Sequence, residues 1–248
     1  AILTYYLLKK LAKKGINPDK ILIWYENQPI HRAIIAGART AFKTTRIVGA
    51  QMYILILNRV SLFPSKSECE AKLVPDILCE MSVDACAKIK QYAQGLHCVA
   101  AASLRCHKSF ESDEVKVKND KGKIFLFLPF NKNECFEMLC IVKDALFGIK
   151  SLGHKIYVKS HPDNKLEDLI RDFGRDEWGK CFISYDNGIS EALKEASLVI
   201  GSSSGSLIES VVHGIRTIYL RRQTSINLDP FEDLESFLIK ECMNSKQL

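Results

Sequence analysis

The second half of the chain alternates short apolar runs of strand length with amphipathic segments of helix length, and this pattern constrains the fold more than any other feature. The predicted strands are residues 124–128, 155–159, 181–184, 198–200 and 217–220. The predicted helices between them are residues 134–152, 165–173, 189–196 and 206–213. Strands that alternate with helices of about 10–15 residues form βαβ units around a parallel sheet. This half is therefore predicted to be an α/β, Rossmann-like lobe.

The first half carries the same alternation less regularly. Its predicted strands are residues 21–25, 46–49, 77–79 and 98–101, and its predicted helices are residues 2–14, 31–42 and 83–92. Residues 107–123 are charged and poor in large apolar side chains, as linkers are. We therefore predict two Rossmann-like lobes with parallel sheets, residues 1–110 and 124–248, joined by a linker at 111–123. Because the chain begins at Ala1 inside a helix-like run, we expect an upstream part of the N-terminal lobe to be missing.

The basic residues are concentrated in one part of the sequence. The whole chain has a formal charge of +6, but residues 1–60 hold ten Lys or Arg against two acidic residues, a local charge of +8. Such an excess favours an anionic partner, either a phosphate-bearing ligand or an anionic membrane surface. The basic residues are not interleaved with aromatic residues and form no known recognition motif, so a nucleic-acid partner is not expected.

The cysteines and the hydropathy pattern both favour the cytoplasm. Nine cysteines occur at irregular positions, without a CxxC pair or the spacing of zinc ligands. They are expected to be free thiols in a reducing compartment. No apolar stretch approaches the ~18–20 residues that a membrane-spanning helix needs.

A serine-rich loop directly follows one predicted strand and opens the next helix. It reads Gly201-Ser202-Ser203-Ser204-Gly205-Ser206. Glycines let a ligand approach the backbone closely, hydroxyls donate to phosphate oxygens, and a helix N-terminus offers free N–H groups. The alternative is a turn that needs only one capping serine. The loop is neither a Walker A sequence nor GxGxxG, and we interpret it as a phosphate-binding loop.

A second polar cluster lies at the end of another predicted strand. Lys159 and His161 come directly before Pro162, which restricts the conformation of His161. A histidine there can donate to a phosphate oxygen or supply a proton to a leaving phosphate. In a parallel sheet the carboxyl ends of the strands meet at one edge, so this cluster is expected near the serine loop.

Two further residues are candidates at the same edge. Asn131 lies between a predicted strand and its helix, where it could cap the helix, contact the ligand, or do both. Glu209 follows the serine loop by one helical turn and could bind ribose hydroxyls, although a solvated helix charge is the simpler interpretation.

In the first half, Glu26 and Gln28 follow a predicted strand and precede Pro29, which can begin a helix. A carboxylate in this position could act as a general base or a nucleophile. It could instead be a partner of the helix dipole.

Taken together, the two Rossmann-like lobes, the strand-end His-Pro and the serine loop with a downstream glutamate resemble the GT-B glycosyltransferases. The WYENQPxxRAxxxGAR segment resembles the N-terminal motif of surface-polysaccharide synthesis proteins. The similarity is greatest to bacterial enzymes of surface-carbohydrate synthesis (capsule and O-antigen), which are related to CMP-sugar-using sialyl and 3-deoxy-manno-octulosonate transferases. It implies that His161 and Ser202–Ser204 hold the nucleotide phosphate and that Glu26 is the catalytic base or nucleophile. It also implies a nucleotide-sugar donor, a glycan or glycolipid acceptor, and no cofactor.

The expected function is therefore a metal-independent transfer of a sugar from a nucleotide-sugar to a surface polysaccharide or glycolipid. The enzyme would be cytoplasmic, with peripheral contact at the inner face of the membrane. One alternative is a nucleotide-sugar 2-epimerase, which shares the two-lobe fold. Another is a non-catalytic nucleotide-sugar-binding subunit of a polysaccharide assembly system.

Overall fold

The computed structural model describes residues 1–51, 53–101, 122–150, 156–222, 226–232, 234 and 236–248, without the side chains of 147–150. The chain divides into two compact units, Ala1–His107 and Lys108–Leu248. Residues 111–121 of the predicted linker lie outside the described residues, and Lys123 already begins a strand. The linker therefore stays a prediction, and the two units are described separately.

In its described part, the first unit is a four-stranded parallel sheet with four α-helices. The strands are β1 (Lys20–Trp24), β2 (Arg46–Ala50), β3 (Ile77–Glu80) and β4 (Cys98–Ala100), in the order β1-β2-β3-β4. The helices are α1 (Ile2–Lys13), α2 (Pro29–Ala41), α3 (Lys66–Glu70) and α4 (Val83–Tyr92), and a 3-10 turn covers Val60–Leu62.

Local sequence signals explain where these helices begin. Pro29 opens α2, where its missing N–H costs nothing. The Ser82 side chain accepts the Ala85 N–H at 3.0 Å and caps α4. Helix α1 packs on α2 at Gly37, where an added Cβ would lie 3.0 Å from Tyr5 Cα.

The two faces of this sheet differ in how well they are covered. Ile23, Ile47 and Leu78 point into a core with side chains of α2 and α4. On the other face Leu22 and Trp24 are exposed, and β1 lies at the edge of the sheet. Parallel sheets usually have both faces covered. Among the described residues, this face of the first sheet is partly open.

The second unit is a six-stranded parallel sheet with five helices among the described residues. The strands are β5 (Lys123–Phe127), β6 (Ile156–Lys159), β7 (Phe182–Ser184), β8 (Ala196–Gly201), β9 (Arg216–Leu220) and β10 (Ile239–Cys242). Their order is β10-β9-β8-β5-β6-β7. The helices are α5 (Lys132–Lys150), α6 (Leu166–Phe173), α7 (Arg175–Cys181), α8 (Ile189–Glu195) and α9 (Ser206–Val212).

Strand β5 shows how both faces of this sheet are filled. Ile124 and Leu126 contribute to a core with Met138 of α5, whereas Phe125 and Phe127 contribute to the opposite core. An uninterrupted apolar strand is typical of a parallel sheet buried on both sides. Strand β5 lies inside the sheet, between β8 and β6, and both of its faces are buried.

The predicted α/β class with two parallel sheets is confirmed. All nine predicted strands are present, with ends that differ by one or two residues. Helices α3 and α7 and strand β10 were not predicted. No helix in the described ranges is both long and apolar enough to cross a bilayer.

Candidate functional site

Three predicted site loops of the second unit follow three neighbouring strands. Residues 128–131 follow β5, residues 160–165 follow β6, and residues 202–205 follow β8. Because β8, β5 and β6 are adjacent and parallel, all three loops leave the same edge of the sheet. This is the edge at which open parallel sheets bind ligands.

The serine loop is held internally by its own hydroxyls and by a buried carboxylate. Ser203 donates its hydroxyl to Glu134 Oε1 at 2.7 Å, and its N–H points to the same oxygen at 3.4 Å. The hydroxyls of Ser204 and Ser206 lie 2.7 Å apart. Ser202 and Ser206 are buried, so Ser203 and Ser204 are the more accessible hydroxyls.

Glu134, which the sequence analysis missed, joins the serine loop to a cation. Its Oε2 lies 3.7 Å from Arg222 Nη1, and Arg222 Nε donates to Glu137 Oε2 at 2.8 Å. Glu134 is buried, and a buried carboxylate needs such partners. The available signal was an acidic residue in the first turn of a helix that follows a strand end.

Asn131 caps helix α5. Its Oδ1 accepts the N–H groups of Asn133 at 2.9 Å and Glu134 at 3.3 Å. This satisfies two of the free donors at the helix start and orients Glu134. Contact of Asn131 with a ligand stays a prediction.

His161 is positioned by its own loop and by the loop after β5. Its Nδ1 accepts the Asp163 N–H at 3.3 Å, and its ring meets Phe130 edge-on at 5.6 Å between centroids. Asp163 Oδ2 also lies 3.6 Å from the same nitrogen, so both contacts of the ring with its own loop are made through Nδ1, and Nε2 is the nitrogen left to donate to a ligand. Lys159 precedes this loop as the half-buried last residue of β6.

Asn164, also missed from the sequence, fastens the two loops together. Its side-chain amide donates to the carbonyls of Pro129 at 3.2 Å and Phe130 at 2.8 Å. Asn164 is buried, and its backbone N–H donates to the His161 carbonyl at 2.9 Å. The structure thus joins the loop of His161 to the loop that precedes Asn131, and Glu134 joins helix α5 to Ser203. Glu209 lies half-buried in the first turn of α9.

In the first unit, Glu26 is surrounded by donors. Trp24 Nε1 donates to Oε1 at 2.6 Å, Gln28 Nε2 donates to Oε2 at 3.0 Å, and Arg59 Nη2 lies 3.5 Å from Oε2. Glu26 is 8% exposed. These contacts orient the carboxylate, and the two donors Trp24 and Arg59 were not predicted.

His31 shapes the turn that carries Glu26. Its Nδ1 accepts the backbone N–H groups of Glu26 at 3.1 Å and Gln28 at 3.3 Å. Burial lowers the pKa of His31, and the Glu26 carboxylate opposes this. A neutral imidazole fits the acceptor role that the turn requires. Asn27, at the centre of the turn, has a φ of 52° and accepts the Tyr25 hydroxyl at 3.0 Å.

Among the described residues, no three His, Cys, Asp or Glu side chains are grouped as metal ligands would be.

No protein-family model matches this sequence, and no curated protein matches it. Solved structures do. The UDP-GlcNAc 2-epimerase of Methanocaldococcus jannaschii, in complex with UDP-GlcNAc and UDP, aligns with a TM-score of 0.61 at 16% identity over 99% of this chain and 70% of that one. S. aureus MnaA with UDP aligns with a TM-score of 0.59 at 14% identity, over 88% of this chain and 61% of that one. Acinetobacter baumannii MurG aligns with a TM-score of 0.56 at 11% identity, over 98% of this chain and 65% of that one.

The fold is GT-B. The predicted resemblance is confirmed at this coarser level, that of a glycosyltransferase-like fold. The chain spans 61% of the length of the MnaA structure and 70% of that of the M. jannaschii epimerase. The finer likeness to CMP-sugar-using and capsule or O-antigen enzymes stays a prediction.

Proposed function

We propose that this protein is a GT-B glycosyltransferase that moves a sugar from a nucleotide-sugar to a glycan or glycolipid acceptor. The observation that carries the proposal is the joining of three loops at the carboxyl edge of the second sheet, through Ser203–Glu134 and through Asn164. Hydroxyl, imidazole and backbone donors converge there, as an anionic ligand requires.

In this proposal the nucleotide phosphate is bound by His161 Nε2–H and by the serine loop. Negative charge grows on the phosphate as its bond to the sugar breaks, and fixed donors stabilise that charge without a metal. Ser203 already donates to Glu134, so its role is to position the loop. Ser204 and Gly205 then contact the phosphate, and the buried Ser206 supports them through its contact with the Ser204 hydroxyl. Glu209 binds ribose hydroxyls, and Lys159 and Asn131 line the rim.

Glu26 is assigned the acid–base or nucleophilic role. As a base, its carboxylate takes the proton of the acceptor hydroxyl while that oxygen attacks the anomeric carbon. The anomeric carbon–oxygen bond then breaks, and its electron pair leaves with the phosphate. As a nucleophile, Glu26 attacks the anomeric carbon and displaces the nucleotide phosphate, and the acceptor oxygen then displaces Glu26 while its proton passes to the departed phosphate. Gln28, Trp24 and Arg59 keep the carboxylate in one orientation for either role.

The finer assignments rest on the resemblance and on charge. They are a CMP-linked donor, a surface polysaccharide of the capsule or O-antigen type as product, no cofactor, and action in the cytoplasm. The +8 charge of residues 1–60 fits an anionic glycan or peripheral contact with the membrane. Sedimentation with anionic and with neutral vesicles tests the membrane contact, which requires binding to the anionic vesicles alone.

Calorimetric titration with CMP, UDP and GDP tests the phosphate site. His161→Ala and Ser203→Ala are each expected to weaken binding at least about tenfold, the equivalent of about 1.4 kcal/mol. His213→Ala and Ser190→Ala are matched controls, because both side chains are exposed and lie outside the three loops. Unchanged affinity in the first pair would contradict the proposal.

A nucleotide-sugar 2-epimerase is the second candidate. It is favoured by a second buried acid, Glu80, at the end of β3, on the same sheet edge as Glu26. Incubation with the nucleotide-sugar alone separates the two, because an epimerase changes the sugar without an acceptor. A non-catalytic subunit would bind the nucleotide but convert the nucleotide-sugar neither alone nor in the presence of an acceptor.

A further inference from the structure

Two buried polar side chains lie next to each other at the carboxyl edge of the first sheet. Ala50 of β2 pairs with Cys79 of β3, and the Gln51 N–H continues this ladder to the Cys79 carbonyl at 2.9 Å. The next pair in the same register is Gln51 and Glu80. In a parallel ladder such neighbours point to the same face of the sheet. Their exposed fractions are 0% and 1%.

Neither side chain has a hydrogen-bond partner among the described residues. This holds for Nε2 and Oε1 of Gln51 and for both carboxyl oxygens of Glu80. The buried side chains of Glu134 and Asn164 are bonded, whereas the only other unpartnered buried side-chain atoms among the described residues are the single atoms Trp178 Nε1 and the Tyr219 hydroxyl. Burying unpaired polar atoms is costly, and buried polar groups in proteins are bonded either within the protein or to a further molecule, a water or a ligand.

The chemistry of the pair indicates what kind of molecule that is. Burial raises the pKa of Glu80 to about 8, so the group is a neutral acid at neutral pH. The titratable groups that interact with it are Tyr25, directly after β1, the adjacent Cys79, and Cys98 on β4, and burial raises the pKa of each. A neutral acid and an amide each donate and accept, and they carry no charge to attract an ion.

We propose that Gln51 and Glu80 form a binding subsite for a neutral hydroxyl group of a sugar. A hydroxyl both donates and accepts, and it therefore matches both members of the pair. The subsite lies on the same sheet edge as Glu26, one strand separating the two strands that carry the acids. The inference rests on the proposed function and gives the first unit a contact to the hydroxyls of the sugar or its acceptor.

Carbon NMR of the full chain, labelled at its glutamate carboxyl carbons, tests the subsite. Glu80→Gln assigns the Glu80 resonance, and Glu70→Gln, which changes an exposed acid, is the matched control. The probes are glucose, galactose, mannose and N-acetylglucosamine, added without nucleotide. The Glu80 resonance is expected to shift and saturate with at least one sugar while the Glu70 resonance stays in place.

The Gln51→Leu variant should lose this sugar-induced shift. If Gln51→Leu does not fold, loss of sugar-detected saturation transfer in Glu80→Gln serves in its place. A Glu80 resonance that no sugar moves would mean that only an internal water fills the site, and would overturn the inference. Nucleotide binding is measured on the same sample to separate a failure of the subsite from a failure of the proposed function. If the sample binds nucleotide, the proposed function stands whatever the sugars do. If it binds no nucleotide, the proposed function is contradicted.

Discussion

Asn164 is the residue through which the loop after β6 is attached to the loop after β5. Its amide donates to two backbone carbonyls, at Pro129 and Phe130. The same residue bonds through its backbone to His161. The position of the His161 imidazole therefore depends on the side chain of Asn164, a residue to which the proposed function assigns no contact with the ligand.

Replacing Asn164 with Ala is expected to lower the free energy of unfolding by about 1–3 kcal/mol, because one buried and one partly buried carbonyl lose their donor. Nucleotide affinity should fall as well, since the His161 loop loses its attachment. Urea unfolding and calorimetry measure the two effects. Asn17→Ala, which removes an exposed amide, should change neither quantity, and equal effects in both variants would contradict the assignment.

Glu80 makes the stability of the protein depend on pH in a defined direction. Its pKa is about 8 in the folded chain against 4.5 for an ordinary glutamate. Between these values the folded state binds more protons than the unfolded state, so stability falls as the pH rises through this range. As the pH rises through this range, the free energy of unfolding of the Glu80→Gln variant should fall less steeply than that of the wild type.

Urea midpoints measured at a series of pH values compare the two proteins. His31, whose pKa is lowered by burial, contributes an opposite slope at lower pH that is the same in both and cancels. Parallel curves for wild type and Glu80→Gln would show that Glu80 is not a buried neutral acid.

At the scale of single residues, sequence patterns identify positions better than partners. Strand ends followed by polar residues pointed to His161, the serine loop and Glu26. They could not show that Glu134 bonds to Ser203, because 69 positions separate the two in sequence. Such pairings depend on the order of the strands, and β8 lies beside β5 only in the folded sheet.

Among the elements, the junction of β8 and α9 is the tightest contact near the serine loop. A Cβ on Gly201 would overlap Leu207 Cδ2 and lie 3.1 Å from its Cγ. Leu207 is fully buried in the core formed with Phe125 and Phe127. The glycine at the start of the serine loop is thus required for packing of the helix, independently of any ligand.

Gly201→Ala is expected to cost about 1–3 kcal/mol through overpacking. Leu207→Ala alone should cost about 2–5 kcal/mol through a cavity. The double variant should be more stable than the sum predicts by about 0.5–3 kcal/mol, because each change relieves the other.

Chemical denaturation of the four proteins completes this cycle. Gly179→Ala is the control, since nothing lies within 4 Å of its Cβ position in helix α7. It should stabilise the chain by about 0.5–1 kcal/mol. Strict additivity of the first two changes would contradict the contact.

The elements that the sequence did not predict share a physical cause. Helices α3 and α7 have five and seven residues, too short for a helical period to be visible in the apolar pattern. Strand β10 reads Ile-Lys-Glu-Cys and has only a weak strand signal. It forms by pairing with β9 at the edge of a sheet that already exists. Long periodic segments such as α5 were predictable because they carry their own signal.

For the molecule as a whole, binding of a nucleotide should be visible as added stability. A ligand at about 100 times its dissociation constant adds about 2.7 kcal/mol. For a chain of this size that corresponds to a rise in Tm of about 5–11 °C. A thermal-shift screen of CMP, UDP, GDP and their sugars measures it.

The nucleosides cytidine, uridine and guanosine are the controls for that screen. They lack the phosphate that His161 and the serine loop are proposed to hold, so they should shift the Tm much less. Equal shifts with and without phosphate would contradict a phosphate site in the second unit.

The partly open face of the first sheet affects the solubility of the purified protein. Exposed Leu22 and Trp24 lie on a strand with an unpaired edge, a combination that promotes aggregation. The opposing force is the +8 charge of residues 1–60, which keeps copies apart. Salt weakens that repulsion, since the screening length is only about 10 Å at 0.1 M. Concentrated stocks should therefore stay clear in dilute buffer and become turbid as salt is added.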